Sequence, residues 1–194
     1  MVFVVLNEGV AVGDREAHSA FGFFLGNIYF CLFLTFFLFF PVFVSYRKVL
    51  CERLKEWETL LLLLGIFIVY LLTFSTRHPY NQVDYTFFLR NKVLLFFSTT
   101  LAGKVLFFLP IAGSVLFFSE VVLCERPFFL LYPATFLFLL PVSLIEQRYY
   151  LIPFALFLAM REQRSGTAEV SMVLLSVMTA LFFVYGITHR LFFL

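Results

Sequence analysis

From Phe23 to Val44 the chain carries no charged side chain, and the same holds from Leu60 to Phe74, Phe128 to Ile145 and Val170 to Ile187. Such runs constrain the fold more than any other feature, because a helix needs roughly 20 mostly apolar residues to cross about 30 Å of hydrocarbon. Hydrophobic residues make up 62% of the chain and charged residues 13%, and the mean hydropathy is +0.99. A water-soluble domain is about a quarter charged and must keep a polar exterior. Part of the solvent here is therefore lipid. The expected fold class is all-α, a polytopic transmembrane helical protein forming a single domain over 1–194. About six spans are expected, with the tail of an earlier one at Met1–Leu6. That tail has no basic region before it and is too short for a signal peptide.

The segments between the runs set the organisation. Ser45 to Glu58 carries Arg47, Lys48, Arg53 and Lys55, with Val49, Leu50, Leu54 and Trp57 at helical spacing. It reads as an interfacial helix with a basic face. Pro41, just before it, is tolerable within a membrane helix. Val93 to Leu123 is too long for one straight span. The economical division makes Val93–Gly103 interfacial and starts a span at Lys104, whose ammonium reaches the headgroups. The other division buries Lys104 as a functional charge. Leu151–Met160 reads as a short run kinked or broken at Pro153. The basic loop Ser45–Glu58 assigns that side to the cytosol, with the loops near Asp14, Asp84 and Arg148 in the lumen. The 31 Phe are read as lipid-facing, where any large apolar side chain serves.

A net charge of +2 gives no footprint for a nucleic-acid partner. Cys31, Cys51 and Cys124 form no CxxC pair, so neither a disulfide framework nor a zinc site is indicated. No HExxH, phosphate-binding loop, dinucleotide fingerprint or nucleophile elbow occurs, so no metal and no cofactor is expected.

Three polar clusters fall on the same expected side: Gly13 to His18, His78 to Arg90 and Glu146 to Tyr150. Charged groups beside apolar helices can line a polar cavity at the membrane face. Such a cavity suits a substrate with a lipid tail and a charged, sugar-bearing head. Asp14 and His18, four apart, share a face on a helix and could bind a metal or pass a proton. The same spacing also serves an N-capping Asp in a solvated loop. Tyr85 reads as a substrate contact or as part of the interfacial aromatic belt. Arg148 could hold a phosphate, or pair with Glu146 to terminate a helix.

In this order the clusters resemble one family, the dolichyl-phosphate-glucose-dependent alpha-1,2-glucosyltransferases that add the terminal glucose to the lipid-linked N-glycan precursor. Val4 to Arg15 together with His18 is similar to the family's VVNGGIVIGD(R/K)xxH loop. Tyr85-Thr86-Phe87 looks like its HYTFY stretch, and Glu146 to Pro153 like its ExRYxxxP motif. Where the family has Asp-Asn-Arg-His before the Tyr-Thr-Phe, this chain reads Asn81-Gln82-Val83-Asp84. The resemblance covers nearly the whole chain but only the latter half of a typical member, the C-terminal part of a GT-C type enzyme. It implies an endoplasmic-reticulum membrane protein whose partners are dolichyl phosphate glucose, the dolichol-linked oligosaccharide and the lipid bilayer. It implies an inverting transfer with an aspartate base, expected in a lumenal loop upstream of this chain; Asp14 is the substitute candidate within it. The substrate-binding residues expected are Asp14, Arg15, His18, Tyr85, Glu146, Arg148 and Tyr149, with Arg15 and Arg148 on phosphate. A non-catalytic membrane scaffold or regulator built on the same fold is the alternative.

Overall fold

The computed structural model describes residues 22–76, 78–82 and 87–194. Asp14, Arg15, His18 and Tyr85, and with them the first cluster, lie outside the described residues.

Among the described residues the chain is helical and has no strand. The helices are α1 (Gly26–Leu38), α2 (Phe40–Arg53), α3 (Trp57–Thr73), α4 (Leu89–Ser98), α5 (Leu101–Glu120), α6 (Leu131–Leu139), α7 (Leu151–Met160) and α8 (Gly166–Thr188). Short 3-10 turns at Pro79–Asn81, Arg126–Leu130 and Gln147–Tyr150 lead between them. The helices run between two ends. At one, Gly26 abuts Ile145 and the Ser75 carbonyl. At the other, Arg53 meets Glu120 and the Cys124 N–H bonds the Met160 carbonyl. We call these the Asn27 end and the Arg53 end. α1, α5 and α7 run toward the Arg53 end, and α3, α6 and α8 run back.

α5 and α8 are long and apolar enough to cross a membrane, and α1 with α2 counts as a third such segment if the bent pair is one broken span. α3 and Arg126–Leu139 are shorter apolar helices. The run Phe23–Val44, expected as a span, is bent by 93° between α1 and α2. Pro41 explains the bend. It has no N–H for the Phe37 carbonyl, its ring crowds that turn, and it starts a new helix well. The helix expected from Ser45 to Glu58 therefore begins at Phe40 and ends at Arg53. Val42, Tyr46 and Leu50 make its buried stripe, while Arg47 and Lys48 are exposed. The run Phe128–Ile145 is likewise shortened. A 3-10 turn fills its start and α6 stops at Leu139, just before Pro141.

The division of Val93–Leu123 holds in outline. The break falls at Thr99-Thr100, and Lys104 sits in the first turn of α5. Thr100 makes the break by capping α5, its hydroxyl accepting from the Gly103 N–H at 2.9 Å. Thr100→Ala should cost about 1 kcal/mol, read as a lower midpoint of unfolding in detergent; an unchanged midpoint would show that the cap does not set this helix start. Pro153 does not break α7. It lies in the first turn, where its missing N–H has no carbonyl to serve.

Packing centres on α5, which meets α1 along Phe30, Phe33 and Phe107. Phe33 and Phe107 stack at 4.3 Å between centroids, and Phe74 stacks on Phe107 at 5.3 Å. A second cluster at the Arg53 end gathers Phe39, Tyr46, Phe117 and Phe157. The reading of Phe as lipid-facing is therefore only half right. Phe30, Phe39, Phe107 and Phe117 are buried, whereas Phe23, Phe96 and Phe182 are exposed. Buried rings contribute area and edge-to-face or offset contacts of about 1 kcal/mol each. α8 is apolar yet little buried in the bundle, as befits a helix whose surroundings are lipid.

Candidate functional site

The Asn27 end is built around one amide. Asn27, in the first turn of α1, is fully buried. Its Nδ2 donates to the carbonyls of Val142 at 2.8 Å and Leu144 at 2.7 Å. Its Oδ1 accepts from the Glu146 N–H at 3.3 Å and from the Tyr150 hydroxyl at 2.6 Å. The irregular stretch after α6 leaves backbone groups that no helix satisfies, and Asn27 supplies their partners. Gly26 allows the approach, since a Cβ there would come within 2.9 Å of the Ile145 side chain and 3.3 Å of the Ser75 carbonyl.

This clasp presents Glu146. Its Oε2 bonds Arg148 at 2.9 Å, and its Oε1 lies 3.6 Å from Arg90 of α4. The structure thus unites the second and third clusters expected from sequence, through Arg90 and Glu146. Glu146 and Arg148 do form the local pair anticipated, but it leads into α7 and does not terminate α6. Arg90 is buried, and burial pulls its guanidinium below the ordinary value while Glu146 pushes it back up. Arg148 is its opposite, 66% exposed. Tyr149 packs beside it, 5.7 Å from the ring centre to the guanidinium carbon. Among the described residues one carboxylate thus faces two guanidiniums, the exposed Arg148 bonded to it and the buried Arg90 farther off.

Around this pair lie polar groups of the 78–91 region. His78 Nδ1 accepts from the Tyr80 N–H at 3.2 Å, and Asn91 Nδ2 donates to the Tyr80 carbonyl at 2.7 Å. The Asn81 amide and the Arg90 Nε are buried without a hydrogen-bond partner among the described residues. Native proteins leave few such groups, and a polar ligand is one way of satisfying them. At the same end, Lys104 lines a cleft of about 410 Å³ with Ser75, Thr76 and Ser98. Among the described residues no group of three His, Cys, Asp or Glu could hold a metal ion.

Of the expected site residues, Glu146, Arg148 and Tyr149 come together here. Asn27, Arg90 and Tyr150 are the members that sequence reading did not single out. Asn27 had a visible signal, being the one amide in an otherwise apolar run, where a polar group must find a partner.

Comparison with known proteins gives two matches. The model of the DIE2/ALG10 family matches residues 1–159. A rat (Rattus norvegicus) protein named Dol-P-Glc:Glc(2)Man(9)GlcNAc(2)-PP-Dol alpha-1,2-glucosyltransferase is 35% identical over 100 residues, covering 47% of this chain and 20% of that relative. The chain thus matches about a fifth of the relative's length. No solved structure matches.

Proposed function

Because the chain belongs to the DIE2/ALG10 family, we propose that it serves the transfer of glucose from dolichyl phosphate glucose to the diglucosylated dolichol-linked oligosaccharide in the endoplasmic-reticulum membrane. The observation that carries this reading is the shared carboxylate at the Asn27 end. Glu146 is shared between the buried Arg90, 3.6 Å away, and the exposed Arg148, 2.9 Å away, so among the described residues one carboxylate balances two positive charges and Arg148 still turns donors to solvent. A guanidinium offers paired donors to phosphate oxygens. Arg148 would hold the phosphate of the donor and stabilise it as dolichyl phosphate leaves, when the bond from the sugar carbon to the phosphate oxygen breaks. Tyr149 would offer a ring face to the sugar. The acceptor hydroxyl attacks that carbon and loses its proton to a base; Asp14, the candidate within this chain, lies outside the described residues. The matched relative's printed name, an alpha-1,2-glucosyltransferase acting on a dolichol-linked oligosaccharide, supports the substrate class.

Arg148→Ala should lower transfer about thirtyfold, the worth of one charge-assisted phosphate contact, with the unfolding midpoint unchanged because the side chain is solvent-exposed. Arg148→Lys should recover only part, since a point charge lacks the paired geometry. Transfer is measured from labelled dolichyl phosphate glucose in membranes depleted of the endogenous protein, where the diglucosylated precursor should accumulate. Unaltered transfer by Arg148→Ala would instead favour a membrane scaffold that keeps the fold without the chemistry.

A further inference from the structure

At the Arg53 end, α2 lies across the bundle and forms one wall of a cleft of about 670 Å³; the start of α8 forms the other. Arg47 and Lys48 line the first wall beside Val44, and Ser165, Thr167 and Ser171 line the second. Every ionisable or hydroxyl group lining it is a hydrogen-bond donor, and no carboxylate does so among the described residues.

The other charges nearby are largely committed. Arg53 pairs with Glu56 and Glu120, Lys55 with Glu52 and Arg161 with Glu169. Arg164 packs over the Tyr46 ring at 4.2 Å. Arg47 and Lys48, adjacent and exposed, have no carboxylate partner among the described residues. Beside them Phe40 and Val44 are exposed apolar side chains on the same helix. A helix with a buried stripe, exposed bulky apolar residues and neighbouring cations lies at the level of lipid headgroups.

We propose that this cleft binds the phosphate headgroup of an anionic phospholipid, held by Arg47, Lys48 and the Ser165–Thr167 hydroxyl pair, whose mutual bond at 2.9 Å leaves one proton to donate. Phe40 and Val44 meet the upper part of its acyl chains. A membrane lipid is favoured over a soluble phosphate because the cations sit next to apolar side chains and not within a wholly polar recess. Phosphate oxygens accept from guanidinium, ammonium and hydroxyl donors alike. The inference does not depend on the glucose-transfer reading, because the cleft lies at the end of the bundle opposite Glu146 and its readout is lipid retention.

The test uses the whole chain, purified in detergent, with native mass spectrometry to count bound lipid. Phosphatidic acid is titrated against phosphatidylcholine, for the wild type and for Arg47→Gln/Lys48→Gln. The wild type should retain one phosphatidic acid in preference to phosphatidylcholine, and the double variant should bind it about thirtyfold more weakly, from the loss of two interfacial cations. An unchanged unfolding midpoint without lipid shows that the double variant is folded. A variant that misfolds is replaced by Thr167→Val, which removes one hydroxyl of the pair on the opposite wall and should weaken retention severalfold. Equal retention of both lipids, or equal retention by wild type and variant, overturns the proposal. So does full displacement by millimolar glycerol 3-phosphate, which would make the ligand a soluble phosphate.

Discussion

Asn27→Leu is expected to destabilise the fold by about 4 kcal/mol and to abolish any activity that depends on the Glu146–Tyr150 turn. Leucine has nearly the shape of asparagine and is better buried, which offsets part of the loss, roughly 2 kcal/mol. Against that stand four stranded partners: two carbonyls, one N–H and one hydroxyl. A buried group left unpaired costs about 1–3 kcal/mol. The groups nearest the membrane face recover part of this from water. For a chain of this size the unfolding midpoint should fall by about 10 °C. Asn27→Asp provides the contrast. It keeps an acceptor for Glu146 and Tyr150 but turns an oxygen toward the carbonyls of Val142 and Leu144. It should be at least as damaging at neutral pH, and a mild effect would show that the two carbonyl contacts contribute little. Unfolding in detergent, followed by intrinsic fluorescence, separates these outcomes.

The helices were legible where the sequence is monotonous. A run without charges has few alternatives in lipid, so the approximate positions of α3, α5 and α8 follow from composition alone. Lengths were less legible. Pro41 and Pro141 both sit in apolar surroundings, and a proline can ride inside a membrane helix if neighbouring groups satisfy the freed carbonyl. Whether they do depends on residues distant in sequence. At Pro41 the neighbouring chain instead follows α2 across the bundle, where Val42, Tyr46 and Leu50 gain a buried stripe. The site shows the same division. Glu146, Arg148 and Tyr149 are contiguous and form a recognisable word. Asn27 is joined to Glu146 by a bond spanning more than a hundred positions, and Arg90, in the first turn of α4, follows a stretch crowded with other polar residues. The apolar run around Asn27 marks it as an amide that must find a partner, but nothing local says which partner it finds.

Arg90 supplies the second large expectation. Glu146→Gln should cost about 3 kcal/mol, because it leaves a buried guanidinium beside a neutral amide. At 3.6 Å the contact is long for a hydrogen bond, so what the variant loses is the Coulombic attraction that compensates the desolvation of Arg90. It follows that Arg90→Met/Glu146→Gln should regain most of the loss, to within about 1 kcal/mol of wild type, because the double variant buries no unpaired charge. Additive losses in the double-mutant cycle would show that the two residues stabilise the fold independently. The double variant also separates folding from binding. Arg148, exposed in either case, loses the carboxylate that shares its donors and presents the whole guanidinium to solvent. If Arg148 holds the donor phosphate, this variant should bind dolichyl phosphate at least as tightly as wild type. Weaker binding would mean that Glu146 orients the guanidinium and that its negative charge is part of the phosphate site.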